Sequence, residues 1–169
     1  ALIGPPIEDI IHVLLSPYGD DRVAEGVAAY RADYGARGLL GSTPYPGIPE
    51  ALAAMRDAGA QLILATSKRR AFAEHILEHT GLATMFAAVH GSEPGGAIDH
   101  KPELIAHIIA RHGLDPAACV MVGDRRYDIS GAHANRVRAL GVLWGYGSRD
   151  ELETAGADDL VGDPQDLAA

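Results

Sequence analysis

One cysteine, Cys119, is all the sulfhydryl chemistry this chain has, and that excludes an internal disulfide and any cysteine-based metal cage. Cys119 sits inside an apolar run and reads as a buried, inert thiol. Basic residues are also scarce: 14 lysines and arginines face 23 aspartates and glutamates, for a formal net charge of -9. Such a balance argues against a protein that neutralises a nucleic-acid backbone. No apolar run reaches the ~18 residues that a membrane helix needs, and no basic start leads into an apolar signal core. Internal repeats and low-complexity tracts are missing too. The chain reads as a soluble cytoplasmic protein with neither nucleic acid nor membrane as partner, a monomer or homodimer.

What is present points to a single good core. The chain has 169 residues, 47% of them hydrophobic, enough for one core, or for a core domain with a small appendage. From about Ile48 onward, apolar runs of strand length alternate with amphipathic segments of helix length, the pattern of βαβ units around a mostly parallel sheet. Pro49 opens the first of these helices and Gly59 stops it. A buried strand follows, ending at Thr66. A helix then runs to Gly81, and a second strand spans Phe86 to Gly91. The next helix opens at Lys101 and stops at Gly113, and the strand after it ends at Gly123. A helix from Tyr127, a fourth strand from Arg138, a short helix from Ser148 and an edge strand near Asp158 complete the series. The first part breaks this rhythm. Two segments of helical period stand there with no strand between them, so residues 1–43 read as an all-helical appendage and 44–169 as the α/β core, joined by the Pro/Gly/Ser/Thr-rich stretch LLGSTPYPGIP.

Three groups of residues fall where a strand meets its following loop, or where a helix starts. Thr66, Ser67 and Lys68 follow the strand LILA, and hydroxyls with backbone N–H groups at such a point form a phosphate cradle as readily as a helix cap. Lys101 lies in the first turn of a helix, where the macrodipole favours acids. It is either a solvated lysine or one placed there for another purpose. Asp124 and Asp128 offer two hard oxygen donors at the mouth of a strand. They suit magnesium, which takes a few carboxylate oxygens and keeps several waters, and equally suit helix capping. Other candidates are weaker. His75 and His79 stand one turn apart with no third ligand, and His100 reads as a loop histidine. Arg125 and Arg126 lie within the Asp124 loop, and either could face an anion. Trp144 and Tyr146 read as packing residues.

The order Thr66, Lys101, then Gly123-Asp124 with Asp128, all at one edge of a parallel sheet, resembles the haloacid dehalogenase-like phosphohydrolase superfamily. LILATSK is similar to its second motif, HKPE to its third and VGDRRYD to its fourth. Within it, the likeness is to the phosphoglycolate phosphatase-like and 5'-nucleotidase-like branch. IGPPIEDII resembles the start of that branch's helical cap, PYPGIPEALAAMRDAG its entry into the core, and GVLWGYGSRDELETAGADDLV its C-terminal run. The resemblance implies a Rossmann-like core under a small helical cap, magnesium as cofactor and a small phosphorylated metabolite as substrate. Residue by residue, it implies that Thr66 bonds a phosphoryl oxygen, with Ser67 and Lys68 beside it. Lys101 would stabilise an aspartyl-phosphate, Asp124 would coordinate magnesium and Asp128 would support the metal shell.

The superfamily's Asp-x-Asp-x-Thr/Val motif, which supplies nucleophile and general acid, does not occur. Asp20-Asp21 and Asp158-Asp159 have the wrong spacing, and Asp163 and Asp166 flank a proline-led tail. The expected first strand, central between those ending at Thr66 and Asp124, would then precede residue 1 and the chain would be a piece of a longer protein. The implied activity is magnesium-dependent hydrolysis of a phosphate monoester of phosphoglycolate or nucleotide type. A sugar phosphomutase of the same superfamily is the alternative, or a non-catalytic phosphate- and metal-binding module if the chain is whole. A dehalogenase has no need of the Asp124 and Asp128 pair.

Overall fold

The computed structural model describes residues 3–93 and 96–168; residues 1 and 2 of the expected helical appendage lie outside them. Two helices come first, α1 (Ile7–Leu15) and α2 (Val23–Asp33), joined through a 3-10 turn at Ser16–Tyr18 and the left-handed Gly19. They pack on one another, and Arg31 of α2 donates to Glu8 of α1 at 2.7 Å. Beyond Asp33 the chain continues as a wide π-type turn, Tyr34–Gly38, and a 3-10 turn, Leu39–Gly41.

Strands and helices then alternate as α3 (Ile48–Asp57), β1 (Ile63–Arg69), α4 (Arg70–His79), β2 (Ala88–Ser92) and α5 (Lys101–His112). The series continues with β3 (Val120–Gly123), α6 (Arg126–Ala134), β4 (Arg138–Val142), α7 (Arg149–Thr154) and β5 (Asp159–Val161). Pro49 occupies the first turn of α3, and Gly113 ends α5 at φ 61°, in the left-handed region that glycine enters without a Cβ penalty.

All strand pairings are parallel, and they form two sheets, β1-β2 and β3-β4-β5. Among the described residues no strand bridges β1 and β3, so each of these strands carries one edge of unpaired backbone groups. Val120 and Val122, on the same face of β3, are 49% and 39% exposed. β1 also runs past its expected end at Thr66, reaching Arg69, and its register with β2 shifts between Ala65 and Arg69. The cause is local: Thr66 Oγ1 accepts the N–H of Lys68 at 3.1 Å and draws the strand out of its ladder.

The main core lies on the second sheet, where Ile105, Ile129, Ala132, Val137, Ala139 and Leu152 form one buried cluster from α5, α6, β4, α7 and the link before β4. Leu104, Ile129 and Leu152 are fully buried. Cys119 packs on the edge of this cluster and is half-buried, not buried as expected; its thiol pKa is pushed up by desolvation, with Asp115 adding to the shift. The remaining strand ends, β1 and β3, point their C-terminal loops at the helical pair.

Candidate functional site

Those loops and the helical pair border a half-open cavity of about 300 Å³. Thr66, Ser67, Lys68, Lys101, Asp124 and Asp128, the six residues singled out from the sequence, all line it. Three separate stretches of chain therefore meet at one place. Their contacts show how each is held.

Lys101 is no solvated lysine. Its side chain is 10% exposed, and its Nζ donates to Ala65 O of β1 at 2.7 Å while pairing with Asp128 Oδ1 at 2.8 Å. One ammonium thus joins the unpaired edge of β1 to the first turn of α6. Gly131 makes this possible, because a β-carbon there would stand 2.7 Å from Lys101 Cβ and 3.1 Å from the Lys101 carbonyl carbon. Only glycine lets α6 approach the start of α5 so closely.

Asp128 is 6% exposed and has both oxygens engaged. Oδ1 meets Lys101, and Oδ2 accepts the N–H of Arg125 at 3.1 Å, capping α6. Asp124 does not cap a helix. Its Oδ2 accepts the backbone N–H of Tyr146 at 2.7 Å, a contact the sequence did not suggest. Tyr146 itself is 63% exposed, so it is not the packing residue expected. Gly145 and Gly147 shape this corner, since a β-carbon on either would run into Asp124.

Arg125 and Arg126, equivalent in the sequence, separate in the structure. Arg126 is exposed and donates to Tyr127 Oη at 2.9 Å. Arg125 is 3% exposed and lines the cavity, its Nε held by Glu151 Oε1 at 2.8 Å. Burial pushes the Glu151 carboxyl up, but the hydrogen bonds from Arg125 and the Arg126 N–H, with both positive charges, outweigh it and hold the pKa below its ordinary value. Lys68 faces the helical segment, with Nζ donating to Tyr34 Oη at 2.6 Å. His100 stays outside the cavity, 3.8 Å from Asp9, and His75 and His79 are exposed.

Sequence reading missed the gathering of charge at this cavity. Buried side-chain atoms with no hydrogen-bond partner among the described residues are the donors Arg31 Nε, Arg69 Nε, Ser92 Oγ and Arg125 Nη1, whose residues all line the cavity, and the acceptors Glu8 Oε2 and Asp99 Oδ1. In a chain of net charge -9, the cavity is lined by five cations (Arg31, Lys68, Arg69, Lys101, Arg125) and two carboxylates (Asp124, Asp128).

For a metal the fit is partial. Among the described residues no three His, Cys, Asp or Glu side chains form a metal-binding group. Asp128 is committed to Lys101 and the α6 cap, which leaves the second oxygen of Asp124 as the hard donor this chain offers to a magnesium ion.

A model of the haloacid dehalogenase-like hydrolases matches residues 11–135. The chain is 41% identical over 152 residues to a 5'-nucleotidase of Pseudomonas aeruginosa, covering 89% of this chain and 67% of that protein. It is 36% identical over 152 residues to the tyrosine-protein kinase PtkA of Mycobacterium tuberculosis, covering 90% of this chain and 51% of that one. It therefore spans about two thirds of the first relative and about half of the second. The crystal structure of a predicted phosphatase from Clostridium acetobutylicum superposes with a TM-score of 0.90 at 33% identity, covering 98% of this chain and 76% of that one.

Proposed function

The chain belongs to the haloacid dehalogenase-like hydrolase family, and from that premise we propose that its cavity holds the phosphoryl group of a small phosphate monoester, of phosphoglycolate or nucleotide type, for magnesium-dependent hydrolysis. The observation that carries this reading is the meeting of Thr66, Lys101 and Asp124, from three separate stretches of chain, on one cavity lined by five cations. A phosphate presents acceptor oxygens on every side, which suits such a lining.

Within this reading Thr66 and the loop through Ser67 and Lys68 bind phosphoryl oxygens at the end of β1. Lys101 sets a fixed, desolvated positive charge beside them. Its double tether, to Ala65 O and to Asp128, holds that charge in place without reorganisation during reaction, and this is how electrostatic catalysis of phosphoryl transfer works. Asp124 would hold magnesium through its free oxygen, with Asp128 acting indirectly by fixing Lys101 and the Arg125 backbone. A bound magnesium ion neutralises charge on the phosphoryl oxygens. The attacking carboxylate is neither Asp124 nor Asp128, both of which serve other bonds; in this reading the nucleophile is not in this chain. The helical pair covers part of the far side through Ile7, Ile10, Tyr30 and Arg31.

Isothermal titration with inorganic phosphate in magnesium buffer tests the site independently of turnover. Binding is expected, and Thr66→Val, which removes the hydroxyl but keeps a strand-forming side chain, weakens it severalfold. No heat of binding at millimolar phosphate in the folded wild-type chain would refute the assignment.

A further inference from the structure

Aromatic residues are rare here: two Phe, six Tyr and one Trp in the whole chain. Three of these nine, Tyr30, Tyr34 and Phe72, line the same cavity as the cations. Tyr30 and Tyr34 stack with ring centroids 5.6 Å apart and planes 13° from parallel, and Phe72 lies 5.7 Å from Tyr34 at 50°. They come from two separate stretches of chain: Tyr30 and Tyr34 from α2 and the π-type turn after it, Phe72 from α4. The three rings thus form one aromatic cluster on the cavity lining, while Thr66 and Asp124 lie toward the strand ends and Lys101 at the start of α5.

We infer that the leaving group of the ester carries a planar ring, seated against Tyr30, Tyr34 and Phe72. The inference rests on the phosphate reading above and narrows its substrate class toward aryl and heteroaromatic esters, away from small aliphatic ones. Two further observations support it. A cavity of about 300 Å³ lies at the lower end of the range for small-molecule sites. Tyr30 is also 41% exposed although it faces the cavity. A large aromatic surface left half-open beside a polar anchor is the arrangement by which proteins stack bases and other rings. Lys68, with Nζ donating to Tyr34 Oη at 2.6 Å and 4.2 Å from the ring centroid, holds Tyr34 in place.

The test compares two phosphonates that differ only in the ring, phenylphosphonate and methylphosphonate, with inorganic phosphate as reference, by titration calorimetry on the intact chain in magnesium buffer. Phenylphosphonate is expected to bind about tenfold or more tightly than methylphosphonate. In Phe72→Leu and in Tyr30→Leu, each checked for folding by circular dichroism, the ratio of the two affinities falls severalfold toward unity. Equal affinities in the wild-type chain, with phosphate still bound, overturn the ring wall alone and leave the phosphate reading standing. Loss of all three ligands overturns both. A wild-type preference that neither variant reduces overturns the assignment of the wall to these side chains.

Discussion

Replacing Lys101 by methionine tests the central link of the site, because the ammonium joins two parts of the fold as well as charging the cavity. Lys101 and Asp128 pair at 2.8 Å with side chains 10% and 9% exposed. Removing one member of a pair this buried leaves the other charge uncompensated, at a cost of about 3–5 kcal/mol. Asp128 keeps its bond from the Arg125 N–H, so the lower end, about 3 kcal/mol, is expected. With a urea m-value of about 2 kcal/mol/M, the denaturation midpoint of Lys101→Met drops by about 1.5 M. Asp128→Asn retains a side-chain oxygen for the Arg125 N–H and loses only the charge, so its loss is smaller, about 2 kcal/mol. The double variant Lys101→Met/Asp128→Asn should then be more stable than the sum of the singles implies, by about 2 kcal/mol or more, the signature of direct coupling. Urea denaturation followed by circular dichroism on the four proteins completes the cycle. Additive losses, or a Lys101→Met penalty below about 1 kcal/mol, would refute the tether.

Gly147→Ala drives a β-carbon into the Asp124 carbonyl oxygen, and an overpacking penalty of about 1–3 kcal/mol should lower the thermal midpoint. Gly162→Ala, where a β-carbon meets nothing within 4 Å, serves as the control with little change, and equal midpoints for the two variants would contradict the close packing at Asp124. Glu151 has a folded pKa below its ordinary 4.5, so its contribution to stability is complete above that value and is lost as pH falls through the lower folded value. Glu151→Gln should therefore flatten the fall in urea midpoint below pH 4.5 compared with the wild-type chain; parallel curves would contradict the Arg125 to Glu151 contact.

Periodicity and punctuation alone gave the alternating elements and their parallel class, because these depend on local chemistry: Pro49 opens α3 and Gly113 leaves α5 in the left-handed region; the burial expected of the strand ending at Thr66 did not follow, since β1 is half-buried throughout. The misplaced cation of Lys101 and the acidic pair of Asp124 and Asp128 were visible for the same reason. Each breaks or meets a rule of its own turn. What the sequence could not decide was who faces whom. Arg125 takes its fixed orientation from Glu151, and Asp124 from the Tyr146 N–H. Arg31 reaches the cavity because α2 packs over the strand ends, while Ser92 and Phe72 come to it from the end of β2 and from α4. Such meetings depend on packing between distant segments, which no local pattern records. The residue types and their order along the chain were determined by sequence; the division of labour between two adjacent arginines, the use of Asp128 as the partner of a buried lysine and the gathering of cations around one cavity were decided by the tertiary structure, since only there does burial remove water and force each polar group to find a partner.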